Sequence, residues 1–177
     1  MIAVIYGGAG SGKSAFAERL LSSPGEDKKI YLATMMKKSA EDEIIIKRHR
    51  KQREGLGFKT VEKPFCLYEA QIPEGFGVLL EDIPNLVSNE LFSYNGICEK
   101  NEAFLRTKKG LDKIASASKD LVIVTGNVFE DGISYGEMTE TYMELLGDIN
   151  MYLAKICDVF AEIICGYPVF YKGSFDI

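Results

Sequence analysis

The run Gly7-Gly8-Ala9-Gly10-Ser11-Gly12-Lys13-Ser14 fits the pattern G-x-x-x-x-G-K-[ST]. Each residue type has a chemical reason to be there. Glycines let backbone N–H groups turn inward around phosphate oxygens. A helix starting directly behind them adds the partial positive charge of its N-terminus. Lys13 is expected to reach the β- and γ-phosphates of a nucleotide, and Ser14 to ligate Mg²⁺. The competing reading is a glycine-rich strand-to-helix turn that holds no ligand. A phosphate loop also wants an acidic side chain at the end of a buried strand, to hold the metal directly or through water. Val78-Leu79-Leu80-Glu81-Asp82 offers two. Successive strand residues point to opposite faces, so only one of Glu81 and Asp82 is expected to aim at the metal. The plainer alternative makes both the polar end of a strand.

His49 is the only histidine, in the run Lys47-Arg48-His49-Arg50-Lys51-Gln52-Arg53. From Lys37 to Lys63, nine Lys+Arg stand against five Asp+Glu, a local net of +4 in a chain whose net charge is −5. A basic island on an acidic protein is where a polyphosphate is drawn. Two readings of His49 stay open on these residues. It is an incidental member of a solvated basic helix, or it is a nucleophile. A neutral imidazole nitrogen can attack phosphorus and form a phosphoramidate, with the neighbouring cations stabilising the developing charge.

The elements that must position these groups follow from periodicity. Strands are expected at Ile2–Tyr6, Ile30–Ala33, Lys59–Glu62, Val78–Leu80 and Leu121–Val124, with helices at Ser14–Leu21, Glu41–Arg53, Pro84–Phe92 and Asn101–Ser116. A terminal hairpin is expected from Ile163–Cys165 and Val169–Tyr171, joined by Gly166-Tyr167-Pro168. The clearest helix is Thr139–Cys157, whose apolar stripe is Tyr142, Leu145, Leu146, Ile149, Tyr152, Leu153 and Ile156. Its steps of 3 and 1 match a 3.6-residue period, and it reads as core. Strands alternating with helices imply an α/β fold with a mostly parallel sheet covered on both faces.

Composition bounds the rest. The chain has 177 residues, 46% hydrophobic and 27% charged, which describes one globular domain spanning 1–177. The acidic balance argues against a nucleic-acid partner. No apolar run approaches the ~20 residues of a membrane span, and Met1–Gly8 lacks the basic flank and cleavage site of a signal peptide. Cys66, Cys98, Cys157 and Cys165 show no C-x-x-C pairing. They read as reduced thiols of a cytoplasmic protein.

Several landmarks together resemble one family, the bifunctional adenosylcobinamide kinase / adenosylcobinamide-phosphate guanylyltransferases of cobalamin biosynthesis. They are the glycine-rich loop, Tyr31-Leu32-Ala33-Thr34, Arg48-His49-Arg50 with His49 fifteen residues after Thr34, Thr60-Val61-Glu62, Val78-Leu79-Leu80-Glu81 with Asn89, and Val122-Ile123-Val124-Thr125 with Val128. Gly147, Asn150, Leu153-Ala154, Asp158, Gly166 and Pro168 close the pattern. The loop alone is generic; its combination with the spaced R-H-R segment and G-x-x-N-x-x-L-A is far more specific.

The resemblance implies a RecA-type P-loop fold, two reactions and a homotrimer with sites near subunit interfaces. The first reaction phosphorylates the aminopropanol hydroxyl of adenosylcobinamide with ATP or GTP. The second transfers GMP from GTP to that phosphate through a guanylylated histidine, and His49 stands at that position. Gly7 to Ser14, Thr34, Arg50, Arg53, Glu62 and Glu81 carry over as nucleotide contacts, Lys13 as a catalytic cation, and Ser14 and Glu81 as Mg²⁺ ligands. The chain departs from the pattern at Gly10, where the family usually has Arg, and at Asn127, where it has an acid. Between Gly126 and Ala154, where the family carries arginines, there is no Lys or Arg against six Asp+Glu. Two other functions are therefore kept beside the bifunctional one: a P-loop kinase of another small molecule, and a nucleotide-binding module without catalysis.

Overall fold

Apolar residues on successive strand positions must point to opposite faces, and this decides the layers of the protein. The computed structural model describes residues 1–22, 28–37, 39, 42–44, 46–47, 51, 53–93, 96–129 and 132–175, with the backbone alone at 93. The elements are β1 (Ile2–Tyr6), α1 (Lys13–Leu20), β2 (Lys29–Ala33), β3 (Phe58–Glu62), β4 (Gly77–Glu81), α2 (Ile83–Leu91), a short pair β5 (Phe92–Ser93) and β6 (Gly96–Ile97), α3 (Lys100–Ala117), β7 (Asp120–Val124), α4 (Glu137–Ile156), β8 (Val159–Ile164) and β9 (Tyr167–Lys172). Seven strands form one sheet in the order β3-β2-β4-β7-β1-β8-β9. All of its pairings are parallel except β8 with β9. The mostly parallel α/β sheet with a C-terminal hairpin is the architecture expected from the sequence.

On one face Val4, Ile30, Leu32, Val78, Leu80 and Ile123 pack beneath Leu86 of α2, Leu111 of α3 and Leu145 and Ile149 of α4. On the other, Ala3, Ile5, Leu79, Val122 and Val124 pack with Phe16 and Ala17 of α1. Each such fully buried Leu or Ile stabilises the fold by about 1.5–3 kcal/mol. The central strands are buried on both faces, which is why they read as unbroken apolar runs. Asp82 starts α2: its Oδ1 accepts the Asn85 backbone N–H at 2.9 Å, and Pro84 occupies the first turn. Gly110 sits inside α3 because a Cβ there would lie 2.6 Å from the Leu67 Cβ.

The differences from expectation are local. The hairpin turn has two residues, Cys165 (φ 49) and Gly166 (φ 86), with Ile164 opposite Tyr167. Two consecutive positive φ values suit the right-handed twist of the flanking strands. Tyr167 and Pro168 therefore belong to β9, where an edge position tolerates proline. β8 begins at Val159, four residues before the expected Ile163. Of the helix expected over Glu41–Arg53, residues 42–44, 46–47 and 51 are helical, and Arg53 lies in a turn that includes Gly55 (φ 86) and Gly57 (φ 77). The remainder of that segment, His49 included, lies outside the described residues. All four cysteines are free. Among the described residues, no helix is long and apolar enough to cross a membrane.

Candidate functional site

The chain leaves β1 into the glycine-rich loop and enters α1 at Lys13. Gly12 caps that helix with φ 92, and a Cβ there would meet the Gly166 Cα at 3.3 Å. A Cβ on Gly7 would lie 2.9 Å from the Ile163 carbonyl oxygen. The Gly166 N–H donates to the Ser11 carbonyl at 2.9 Å. The loop is thus held from beneath by the β8–β9 turn, while Ala9 and Gly10 stay exposed on its outer side. Lys13 Nζ donates to the Gly8 carbonyl at 3.0 Å, folding its charge over the concavity where phosphate would sit.

Two strands away, β4 delivers the acidic residues. Ser14 Oγ donates to Glu81 Oε1 at 2.5 Å, and the Tyr31 hydroxyl donates to Oε2 at 3.0 Å. Burial, then the Glu81 charge, pushes the Tyr31 phenol far up, so Tyr31 stays a donor. Asp82 is engaged elsewhere. Its Oδ1 also accepts from Asn85 Nδ2 at 2.8 Å, and burial pushes its carboxyl up. Of the two candidate acids, Glu81 is the one on Ser14, and Asp82 is a helix cap. Thr34 exchanges bonds with the Asp82 backbone: its Oγ1 donates to the carbonyl and accepts the N–H, both at 2.7 Å. Asn89 Nδ2 holds the Thr34 and Pro64 carbonyls at 2.8 and 3.0 Å.

Glu62, Ala33 and Glu81 stand at one level, because Ala33 is in register with both carboxylate residues. With strands ~4.8 Å apart, the two acidic positions lie about 10 Å from each other. Between them opens a cleft of about 80 Å³, lined by Tyr31, Arg53, Thr60, Glu62, Glu81 and Asn85 among others. One water needs ~10–15 Å³ on this scale, so the cleft has room for more than a single water or ion. Arg53 roofs it, its guanidinium carbon 3.3 Å from the Tyr31 ring centroid. Arg53 is only 7% exposed, and its Nη1 has no hydrogen-bond partner among the described residues. A buried, unpaired guanidinium N–H is costly without an acceptor. Its place in the cleft fits a ligand oxygen. Glu18 joins this group from α1, its carboxyl pushed up by burial and then by Glu81.

The opposite side of the loop is different. Asn127 donates its N–H to the Gly7 carbonyl at 3.2 Å. From there a depression of about 620 Å³ runs along Val128, Tyr135, Tyr142 and Met143. Tyr142 is pushed up to about 12 by burial and then by Asp82. Thr125, at the end of β7, donates to Asn150 Oδ1 at 2.7 Å.

The structure brings Gly7 to Ser14, Thr34, Arg53, Glu62 and Glu81 to the C-terminal edge of the parallel sheet. His49 and Arg50 lie outside the described residues. In the basic segment, Lys37 and Lys47 both pair with Glu43, at 2.7 and 3.0 Å. Sequence reasoning passes over Glu18, although it stands four residues after Ser14 and so on the same helix face. It marks Tyr31 and Asn89 only as landmarks. No local pattern announces that Tyr31 carries Arg53. Among the described residues, no cluster of three or more His, Cys, Asp or Glu could hold a metal by itself. Ser14 and Glu81 are oxygen donors beside the loop, which is the donor set Mg²⁺ takes when phosphates complete its shell.

Comparison with known proteins extends this geometry. The flagellar accessory protein FlaH of Methanocaldococcus jannaschii superposes with a TM-score of 0.51 at 11% identity, covering 99% of this chain and 81% of that one. A solved ATPase domain superposes with a TM-score of 0.50 at 11% identity, covering 91% and 68%. These similarities speak for the P-loop fold alone. The bifunctional adenosylcobalamin biosynthesis protein CobP of Pseudomonas aeruginosa is 25% identical over 175 residues, 97% of each chain. CobU of Escherichia coli K12, described in the same words, is 27% identical over 181 residues, 96% of this chain and 98% of its own. The family described as cobinamide kinase / cobinamide phosphate guanyltransferase matches residues 3–170. With its phosphate loop, its Ser14–Glu81 contact and this match over nearly its whole length, the chain belongs to the cobinamide kinase / cobinamide phosphate guanyltransferase family.

Proposed function

We propose that this protein phosphorylates adenosylcobinamide and then transfers GMP from GTP to the resulting phosphate through a guanylylated His49. The observation that carries the reading is the joint placement of Lys13, Ser14 and Glu81 at the phosphate loop with the Arg53-roofed cleft beside them. Phosphates lie in the loop, on its backbone N–H groups and on Lys13, with the N-terminus of α1 adding its partial charge. The purine ring enters the cleft between Glu62 and Glu81, beneath Arg53. Ser14 and Glu81 would hold Mg²⁺, which supplies charge neutralisation on the phosphates.

In the transfer step a neutral imidazole nitrogen of His49 bonds to the α-phosphorus. The bond from that phosphorus to the bridging oxygen breaks, and pyrophosphate leaves. An oxygen of cobinamide phosphate then displaces the imidazole, forming the GDP-linked product. Lys13 and the basic segment Lys47–Arg53 offset the charge that develops. The protein works as one domain in the cytoplasm. A homo-oligomer, a trimer by family resemblance, is supported by the exposed edge of β9, where Tyr167 is 78% exposed and Tyr171 66%.

The test uses α-labelled GTP with Mg²⁺ and an alkaline quench. Acid-labile label on the wild-type chain that disappears in His49→Ala is expected. An unlabelled wild-type chain would sink the histidine mechanism. A second reading, a nucleotide-binding module without catalysis, is motivated by the lack of any Lys or Arg between Gly126 and Ala154. On that reading GTP binds tightly and no cobinamide substrate is turned over.

A further inference from the structure

Tyr31 lies in the middle of β2, buried between Ile30 and Leu32, where an apolar side chain would serve the core equally well. It stands in register with Leu79, and Ala33 with Glu81, so the Tyr31 and Glu81 side chains share the sheet face that α1 covers. A diagonal neighbour on the next strand is within reach of a long aromatic side chain. The phenol makes that reach and donates to Glu81 Oε2 at 3.0 Å, while Ser14 Oγ donates to Oε1 at 2.5 Å. Both carboxylate oxygens are thereby tied, one from β2 and one from α1. The phenol keeps its proton, because burial and then the Glu81 charge oppose its ionisation. The ring is fixed as well: Phe58 packs against it edge-on with centroids 6.4 Å apart, and the Arg53 guanidinium lies over it.

We propose that Tyr31 is a positioning residue with two separable parts: its hydroxyl orients the Glu81 carboxylate toward Ser14 and so sets how tightly Mg²⁺ is held with a nucleotide, and its ring carries Arg53 and so sets how tightly the nucleotide itself is held. The proposal rests on the nucleotide and Mg²⁺ reading above. A carboxylate at a strand end turns about its own torsions unless something holds it, and a hydrogen bond to a charged oxygen is strong enough to do so. With Oε2 committed to Tyr31, Oε1 is the oxygen presented to Ser14. Ser14 gives its one hydroxyl proton to that oxygen, which leaves its lone pairs for a cation. Partners that hold a ligating carboxylate in this way set metal affinity without touching the metal. Phenylalanine would fill the same volume and still carry Arg53, but it would leave Oε2 without this donor. Leucine would remove the platform too, so substitution separates the two parts.

The experiment titrates a non-hydrolysable GTP analogue into the full-length chain by calorimetry, first in EDTA and then over a series of Mg²⁺ concentrations. Tyr31→Phe is expected to bind the analogue in EDTA as wild type does, and to need about tenfold more Mg²⁺ for the metal-dependent gain in affinity. Paramagnetic resonance of Mn²⁺, used in place of Mg²⁺ in the same samples, reads bound metal directly and is expected to shift alike. Tyr31→Leu is expected to show the same metal shift and, in addition, to bind about three- to thirtyfold more weakly in EDTA. Binding in EDTA verifies that Tyr31→Phe is folded, and that variant decides the outcome even if Tyr31→Leu does not fold. A phenol that merely satisfies its own burial would lower Tm and leave the Mg²⁺ midpoint where it is. That result, or a Tyr31→Phe chain that loses as much affinity in EDTA as Tyr31→Leu, overturns the proposal and leaves the Mg²⁺ reading standing. A wild-type chain that binds the analogue equally with and without Mg²⁺ overturns the assignment of Mg²⁺ to Ser14 and Glu81, and the proposal with it.

Discussion

On one side of the phosphate loop, Tyr31, Arg53, Glu62 and Glu81 line about 80 Å³; on the other, Val128, Tyr135, Tyr142 and Met143 border about 620 Å³. The small cleft is made at strand ends and cross-tied. Tyr31 and Ser14 share Glu81, Thr34 is bonded to Asp82, and Asn89 fixes Thr34 from behind. The large groove is made by a loop and the first turns of α4, with Tyr135 and Met138 exposed. Rigid strand ends suit a ligand part that is always the same, because their groups need no reordering on binding. A loop and a helix face suit a larger ligand of variable shape. Charge differs as well: the cleft sets one guanidinium among the carboxylates of Glu62 and Glu81, whereas the groove's inner part is lined, among the described residues, by no charged side chain, and Glu140 and Glu144 border the hollow that continues it.

Lys13→Ala is the harshest way to break the comparison, since it removes the cation both sides share. Turnover of nucleotide with either acceptor is expected to fall at least about 100-fold, read as kcat in a coupled assay. Asn89→Ala attacks the cleft alone. It leaves the Thr34 and Pro64 carbonyls without a donor, at a cost of about 1–3 kcal/mol in urea unfolding. Nucleotide affinity is expected to drop with it. Arg53→Ala removes the stack on Tyr31, and nucleotide is expected to bind about three- to thirtyfold more weakly by titration. Arg53→Lys is expected to recover little of this, since an ammonium offers neither a plane nor a fork.

Asp82→Asn gives the smallest effect and sharpens the division of labour between adjacent acids. Asparagine caps as well as aspartate, so stability at neutral pH is expected to change by less than ~1 kcal/mol. The pH dependence is expected to change. Burial holds the Asp82 carboxyl above its ordinary 3.8, so the folded chain binds more protons than the unfolded chain between the two values. The stabilisation is therefore present below the unfolded value and lost as pH rises through the folded one. Wild-type Tm is expected to fall relative to Asp82→Asn across that interval. Parallel Tm curves would mean that Asp82 titrates alike in both states.

What is legible in the sequence is what is local. The strand, the glycines, Lys13 and the helix behind them lie within the first 20 residues, and each backbone requirement shows in a residue type. Glu81 is legible as the end of an apolar run. Choosing it over Asp82 by geometry requires the tertiary contact to Ser14, because alternation says only that the two diverge. The Arg53–Tyr31 stack joins distant residues with no shared periodicity. The hairpin connection is misplaced in the sequence because Pro168 reads as punctuation, whereas an edge strand tolerates it. The first four residues of β8 escape notice because only Cys157 and Asp158 separate it from α4, leaving no turn residue to mark the change of period.

The Gly166 amide rests on Ser11, and the Ile163 carbonyl closes against Gly7, so the nucleotide cradle is encoded early but finished late. A nascent chain carries the cradle's glycines and its lysine out of the ribosome long before the strand that props them exists. Until that prop arrives, an emerging polypeptide holds a phosphate-binding motif without its support, and the cradle is complete only once the β8–β9 turn has been made.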